Sequence, residues 1–138
     1  MLVSRLQFSE STPGPFENWL VLHGISQNTG GGNTKISHVG ENIVYVKKMP
    51  EPLPIFKLIQ SESGDFWENM FKNFNCGIGI DVVGSDQGGI LAKVLKEVSE
   101  ETGIELHILG ECEESKIGKN YVVLHTPYGT FDKYHIKK

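Results

Sequence analysis

The chain has 138 residues, of which 13 are Lys or Arg, 17 are Asp or Glu and 5 are His, so its formal net charge is −4 at pH 7. With 38% hydrophobic and 22% charged residues it can bury a core, which excludes global disorder and fits one domain. The acidic balance argues against general nucleic-acid binding, and no apolar run approaches the roughly 18 residues of a membrane span.

The N-terminal residues divide into a polar segment and the start of a domain. Residues 1–18 are polar and contain prolines, so we expect a loosely ordered segment ahead of a single domain over residues 19–138. They lack the long apolar stretch of a signal peptide. Residues 19–26 are mostly apolar, which predicts either a short buried strand or a short helix that leads into a strand.

The next predicted elements are a helix and a strand. A polar loop over residues 27–34 precedes a short helix over residues 35–39, which Asn33 or Thr34 is expected to cap. Residues 42–47 are largely β-branched and aromatic, and this composition predicts a strand.

Two helices are predicted after a proline-rich turn. The first spans residues 55–60, with Pro54 in its first turn. The second spans residues 65–72, and Asp65 is its predicted cap. Three apolar side chains of the second helix are expected to form its buried stripe: Phe66, Met70 and Phe71.

A strand and a longer helix are predicted next. The strand is predicted over residues 77–84. The helix is predicted over residues 86–102, with Ser85 or Asp86 as its cap and Gly103 at its end. The side chains expected on one face of the strand are Ile78, Ile80 and Val82. Those expected in the apolar stripe of the helix are Ile90, Leu91, Val94, Leu95 and Val98.

The C-terminal part is predicted to contain strands only. Residues 105–109 predict one strand, and residues 121–126 and 130–136 predict a hairpin. Along the whole chain, helices are interspersed with strands, and some neighbouring strands are joined by hairpins. We therefore predict an α+β fold, an α/β sandwich with a mixed β-sheet covered by helices.

The first candidate site is the segment Thr29-Gly30-Gly31-Gly32-Asn33. Three glycines between a strand and a helix expose consecutive backbone N–H groups, which suits a phosphate or a carboxylate. The segment matches neither a Walker A loop nor the dinucleotide-binding fingerprint. A flexible surface loop is the alternative interpretation.

The second candidate site is the segment from Phe74 to Gly79. Gly77 and Gly79 clear one face of a strand for a helix, another backbone or a ligand. Asn75 either orients a ligand group or holds a turn. His23, in the apolar stretch before the glycine-rich loop, is either a satisfied core or rim histidine or a residue that points toward that loop.

Other features of the sequence offer little chemistry. Cys76 has no activating partner nearby in sequence, and both cysteines are expected to be free, buried thiols in a reducing compartment. The five histidines have no metal-ligand spacing, so no metal site is predicted, and no catalytic triad or acid pair is evident.

Three segments resemble the phosphoribosylformylglycinamidine cyclo-ligases, also called aminoimidazole ribonucleotide synthetases. Residues 23–32 (HGISQNTGGG) resemble the family segment HxIxHxTGGG, residues 54–60 (PIFKLIQ) the helix PxVFxxLQ, and residues 70–79 (MFKNFNCGIG) the segment MYRTFNCGxG. Residues 108–111 resemble a later family strand. The resemblance concerns the family's C-terminal domain, an α/β sandwich with a mixed sheet, and nothing in the chain resembles the N-terminal domain.

This resemblance implies a part in purine biosynthesis, in which formylglycinamidine ribonucleotide and ATP give aminoimidazole ribonucleotide, ADP and phosphate. It implies that His23 polarises the substrate amide, as the catalytic residue, at a cleft between two domains. The implied residues for binding substrate or phosphate are Thr29, Gly30, Gly31, Gly32, Asn33, Phe74, Asn75, Gly77 and Gly79.

The resemblance also implies cofactors and partners. ATP and Mg²⁺ serve the full enzyme, whose N-terminal domain carries the metal ligands, so this chain alone is expected to be inactive. Its expected partners are that ATP-binding domain or subunit and a phosphorylated ribonucleotide, in the cytoplasm and without nucleic acid or membrane.

Two alternatives stay open. The first is a stand-alone phosphometabolite-binding or regulatory module of the same fold. The second is a domain of another ATP-dependent member of the superfamily, such as selenophosphate synthetase or thiamine-monophosphate kinase. The chain also has Gln27 where the family has a second histidine, so no role is carried over to that position.

Overall fold

The computed structural model describes residues 2–6, 22–85 and 89–135. Within these ranges one sheet contains the strands β1 Leu2–Leu6, β2 Leu22–Gln27, β3 Ile43–Lys48, β4 Ile80–Gly84, β5 His107–Glu114, β6 Tyr121–Thr126 and β7 Gly129–His135. The helices are a 3₁₀ helix over Gly32–His38, α1 over Pro54–Ser63, α2 over Trp67–Asn73 and α3 over Ile90–Thr102.

The sheet is mixed, with the spatial order β2-β4-β1-β5-β3-β6-β7. Strand β1 lies between β4 and β5 and is parallel to both, and β3 is parallel to β6. The pairs β2–β4, β3–β5 and β6–β7 are antiparallel. The predicted α+β sandwich with a mixed sheet is therefore confirmed.

The start of the chain differs from the loosely ordered segment that its composition predicts. Leu2–Leu6 form β1, in which Val3 is in register with Val82 of β4 and Ile108 of β5. A strand with neighbours on both sides is stabilised by tertiary pairing, which local composition does not report. Residues 7–21 lie outside the described residues, so the boundary expected at residue 18 stays a prediction.

The main core lies on the face of the sheet that the 3₁₀ helix and α2 cover. Its fully buried members include Ile36 of the 3₁₀ helix, Phe71 of α2, and Val83, Val122 and Leu124 of the strands. A smaller cluster on the other face consists of Val82, Leu91 and Leu95, with Leu106 packed against it. Val82 and Val83 are consecutive in β4, so their side chains point to opposite faces and enter different clusters.

Helices α1 and α2 form where the sequence predicts them. Pro54 occupies the first turn of α1, and Gly64 follows its end with a left-handed φ of 67°. Helix α2 begins slightly later than predicted, and Phe66 rather than Asp65 stands at its N-cap position. Asp65 Oδ1 instead accepts hydrogen bonds from Phe66 N and Asn69 Nδ2, both at 2.8 Å.

Helix α3 covers less of the sheet than its predicted stripe requires. Of that stripe, Leu91 and Leu95 are buried. The other members are partly exposed: Ile90, Val94 and Val98. Helix α3 packs on a small cluster around Val82 and Leu106, and this surface is too narrow to bury all five residues of the stripe. None of the described helices is long and apolar enough to cross a membrane.

Strand β2 is at the edge of the sheet, which corrects the expectation that it is buried. Its Ile25 is 60% exposed, and Ser26 is its buried residue. Strand β4 is shorter than predicted because positive φ angles at Cys76 (53°) and Gly77 (112°) turn the chain before it. Ile80, predicted to share a face of the strand with Val82, is exposed, whereas Val82 is buried.

Candidate functional site

The two candidate segments meet where β2 ends and β4 begins. Asn28 directly follows β2, and its backbone N–H donates to Gly79 O at 2.8 Å. The buried Asn28 side chain donates from Nδ2 to Ile78 O at 3.0 Å. These bonds hold the start of the glycine-rich loop beside the end of the second segment.

Asn33 makes the second connection between the segments. Its Nδ2 donates to Phe74 O at 3.1 Å and to Asn75 O at 3.0 Å, across 41 and 42 residues of sequence. Asn33 is fully buried. The Asn33 side chain therefore has a structural role, since it joins the two segments. From the sequence, Asn33 was predicted to be either a helix cap or a ligand-binding residue.

The glycine-rich loop has positive φ at each glycine: 64° at Gly30, 142° at Gly31 and 52° at Gly32. A Cβ on Gly32 would lie 2.6 Å from Phe74 O and 2.8 Å from Lys72 O, so the loop contacts the C-terminal carbonyls of α2 too closely for any side chain. Around Gly30 no atom lies within 4 Å of a Cβ position. Gly32 is thus required for packing, whereas Gly30 faces open space.

The helix after the loop differs from the predicted capped helix. It is a 3₁₀ helix that begins at Gly32, and neither Asn33 nor Thr34 caps it. Thr34 Oγ1 donates to Gly31 O at 2.9 Å. A helix dipole is a sum over aligned peptide groups, so this short helix contributes little to anion binding. The backbone N–H groups of Gly30 and Gly31 donate to no acceptor among the described residues.

Lys35 places a positive charge at the loop. Its Nζ donates to Thr29 O at 2.7 Å in an exposed position. Lys35 was not among the candidate residues predicted from the sequence. The sequence does contain a signal for this role of Lys35, because a cationic side chain within one helical turn of the glycines can fold back over the loop.

The second segment forms a tight turn. Asn75 Oδ1 accepts from Gly77 N at 3.0 Å, and Asn75 O accepts from Ile78 N at 2.9 Å. Of the two interpretations of Asn75, the structure shows the turn. A Cβ on Gly77 would lie 3.0 Å from Leu53 Cγ, so this glycine is also needed for close packing. The φ of 53° at Cys76 belongs to the same turn.

Cys76 is a buried thiol without nucleophilic character. Its Sγ contacts Met70 O at 3.7 Å, and burial raises its pKa to about 12. A thiol with so high a pKa stays protonated and unreactive at neutral pH. Both cysteines are buried and free, as expected from the sequence.

Of the three further candidate residues, His23 and Phe74 are exposed and Gly79 is half-buried. His23 lies in the edge strand β2, four residues before its end at Gln27, and is exposed, so it is a residue of the rim and not of the core. Phe74 is 37% exposed, and its ring centroid is 6.0 Å from that of Phe56. Gly79 has no atom within 4 Å of a Cβ position. Contact of these residues with a ligand stays a prediction.

A buried ion pair lies beneath the junction. Lys47 Nζ of β3 is 2.7 Å from Asp81 Oδ2 of β4, and the two side chains are 1% and 0% exposed. Lys47 Nζ also donates to Asn33 O at 3.0 Å. Burial lowers the pKa of Lys47, and the carboxylate of Asp81 opposes that shift. This pair was not among the predicted site residues, although a lysine and an aspartate within apolar strands are a usable signal.

The described residues provide no metal centre. Among them, no group of three or more His, Cys, Asp or Glu side chains is placed to hold a metal ion.

Comparison with curated proteins finds cyclo-ligases that are similar to part of this chain. The chain is 36% identical over 95 residues to the phosphoribosylformylglycinamidine cyclo-ligase of Methanococcus maripaludis strain C5, which covers 68% of this chain and 26% of that protein. The cyclo-ligase of Methanocaldococcus jannaschii is 32% identical over 104 residues, or 74% of this chain and 29% of that protein. Over this region the chain is homologous to the phosphoribosylformylglycinamidine cyclo-ligases.

The homology confirms the resemblance to the C-terminal part of these cyclo-ligases that the three sequence segments indicate. The cyclo-ligase of Methanopyrus kandleri is 30% identical over 100 residues. No family model matches the chain. The chain spans about a quarter of the length of the curated cyclo-ligases it matches, 26–29% in these three comparisons.

Proposed function

We propose that the chain supplies the C-terminal-type domain or subunit of a phosphoribosylformylglycinamidine cyclo-ligase. In the proposed reaction, formylglycinamidine ribonucleotide and ATP give aminoimidazole ribonucleotide, ADP and phosphate. The observation that supports the proposal is the junction at Asn33. Two segments that resemble separate family motifs are joined there by side-chain hydrogen bonds across 41 and 42 residues.

In this proposal the glycine-rich loop binds the phosphate of the ribonucleotide. The N–H groups of Gly30 and Gly31 are the donors, because they have no acceptor among the described residues. Lys35, now held at Thr29 O, turns to the phosphate and neutralises part of its charge. Gly32 and Asn33 hold the loop in place and need not contact the ligand.

His23 is proposed to polarise the formyl amide of the substrate from the edge strand β2. ATP with Mg²⁺, bound by the N-terminal domain of the full enzyme, supplies the phosphoryl group that activates the amide oxygen. The chain is therefore proposed to act in the cytoplasm with that domain, and to be inactive alone.

The proposal predicts selective stabilisation by the ribonucleotide. Thermal unfolding of the full chain is measured with formylglycinamidine ribonucleotide, its dephosphorylated nucleoside and thiamine monophosphate. At about 100 times its Kd, the ribonucleotide adds about 2.7 kcal/mol to the free energy of unfolding. The nucleoside, which lacks the phosphate, is expected to add much less.

The other outcomes separate the alternatives. Preference for thiamine monophosphate favours another ATP-dependent superfamily member, and equal stabilisation by all phosphorylated compounds favours a stand-alone phosphometabolite-binding module. No stabilisation by any of them contradicts the phosphate site. Cyclo-ligase activity on mixing with a separately expressed N-terminal domain, and none from the chain alone, supports the complete proposal.

Lys35→Gln tests the cation at the loop. The substitution is expected to weaken ribonucleotide binding about tenfold, because it removes one charge-assisted contact with the phosphate at a partly exposed site. Isothermal titration at low and high salt measures the loss, and the variant should show a weaker salt dependence than the parent chain. Lys116→Gln, an exposed lysine in the turn between β5 and β6, is the matched control. Equal affinity of the Lys35 variant and this control contradicts the assignment.

A further inference from the structure

The buried Lys47–Asp81 pair connects distant parts of the sheet. Lys47 is on β3 and Asp81 is on β4, and β1 and β5 lie between these strands. The side chains of Lys47 and Asp81 therefore bridge the two intervening strands together, with Nζ 2.7 Å from Asp81 Oδ2. From the same position Nζ donates to Asn33 O, at the C-terminal edge of the glycine-rich loop.

Stability alone does not explain such a pair. Two charges removed from water lose much of their hydration free energy, and apolar side chains of similar volume are often as stabilising at such positions. Unlike apolar side chains, however, the pair can fix the position of a neighbouring group, because the N–H groups of Lys47 Nζ form directional hydrogen bonds. One of them ends on the main chain of Asn33, the residue whose side chain binds Phe74 O and Asn75 O.

The surroundings of the pair are rich in hydrogen-bond acceptors. Three buried side-chain oxygens have no hydrogen-bond partner among the described residues: Asn28 Oδ1, Asn33 Oδ1 and Asp81 Oδ1. These three residues belong to the two connections between the segments and to the ion pair. In a cluster with surplus acceptors, the ammonium group of Lys47 is the donor on which the arrangement depends.

We propose that Lys47 and Asp81 are positioning residues that act through Asn33 to hold the Gly30–Gly32 loop in its ligand-binding conformation against the Phe74–Gly79 segment. The role of the loop in binding rests on the proposed function. The conformational part of the inference does not, because it concerns the order of the loop before any ligand is present.

The test replaces the pair by apolar residues of similar size in the full chain, Lys47→Met with Asp81→Leu. Amide hydrogen exchange is followed in strand β6 and at the two hydrogen-bonded amides at the ends of the loop, those of Asn28 and Thr34. We expect the double variant to keep a thermal midpoint near that of the parent chain. Exchange in the loop should be about tenfold faster, and exchange in β6 unchanged. Affinity for formylglycinamidine ribonucleotide should fall about tenfold in the same variant.

A matched control removes an exposed ion pair with the same chemistry. Lys57 Nζ and Glu51 Oε1 are 2.6 Å apart with both side chains about half exposed. The double variant Lys57→Met with Glu51→Leu is expected to leave loop exchange and ribonucleotide affinity unchanged. A purely structural role of the buried pair would change the thermal midpoint, or exchange throughout the sheet, without singling out the loop.

A second variant keeps the test decisive if the buried double variant does not fold. Asn33→Ala leaves the ion pair in place and removes the bonds to Phe74 O and Asn75 O, so loop exchange should again rise about tenfold while β4 stays protected. Unchanged loop exchange in the folded variants overturns the inference. If the parent chain binds no ribonucleotide, the proposed function fails, and loop exchange still decides whether the pair positions the loop.

Discussion

Gly32→Ala is expected to lower the free energy of unfolding by about 2–5 kcal/mol, which combines the strain of a left-handed residue with that of overpacking. The residue has a φ of 52°, and an added Cβ would lie 2.6–2.9 Å from the carbonyl oxygens of Phe71, Lys72 and Phe74. These oxygens are main-chain atoms at the C-terminal end of α2, so they cannot move aside as a flexible side chain would. Urea-induced unfolding followed by far-UV circular dichroism measures the loss.

Gly64→Ala separates the contact from the backbone conformation. Gly64 has a φ of 67°, similar to that of Gly32, but no atom lies within 4 Å of its Cβ position. Its substitution should therefore cost only the left-handed strain, about 1–2 kcal/mol. Equal losses in the two variants would show that the glycine-rich loop does not lie on the end of α2 as described.

The elements that the sequence predicted best are those with strong local signals. Residues 42–47 are largely β-branched and aromatic, and the structure has a strand at Ile43–Lys48. Pro54 starts α1, and Gly103 ends α3 with a left-handed φ of 70°. In each case the local structure is determined by a property of the residue itself. These properties are the restricted χ1 of β-branched residues, the fixed φ of proline and the access of glycine to positive φ.

The features that the sequence did not predict depend on contacts between residues far apart in the chain. Strand β1 exists through pairing with β4 and β5, whose residues follow it by about 80 and 105 positions. Helix α3 buries two residues of its five-residue stripe because only a small part of the sheet lies under it. Such partners cannot be found from local patterns.

The candidate site was found in part, since the sequence located both segments but did not distinguish roles within them. Clustered glycines do mark close approaches, and Gly32 and Gly77 each face one. Gly30 instead faces open space, where a ligand can approach. An asparagine whose side chain bonds to main-chain groups and one that binds a ligand have the same sequence signature, so the roles of Asn33 and Asn75 could be assigned only from the structure.

Phe71→Ala is expected to lower the free energy of unfolding by about 3–5 kcal/mol, through lost burial and the cavity that remains. The Phe71 side chain is 0% exposed in the main core. Its ring centroid lies 5.9 Å from that of Trp67 and 6.3 Å from that of Phe131, so it joins α2 to strand β7. Differential scanning calorimetry and urea titration of the full chain measure the loss.

Phe66→Ala is the matched control, because it removes the same atoms from a phenylalanine five residues earlier in the chain. Phe66 was expected to share the buried stripe of α2, but it is 78% exposed at the N-cap position. Its substitution should change the free energy of unfolding by no more than about 0.5 kcal/mol. A large loss at Phe66 would mean that this side chain is covered in the folded chain, and a small loss at Phe71 would contradict the position of α2 over the main core.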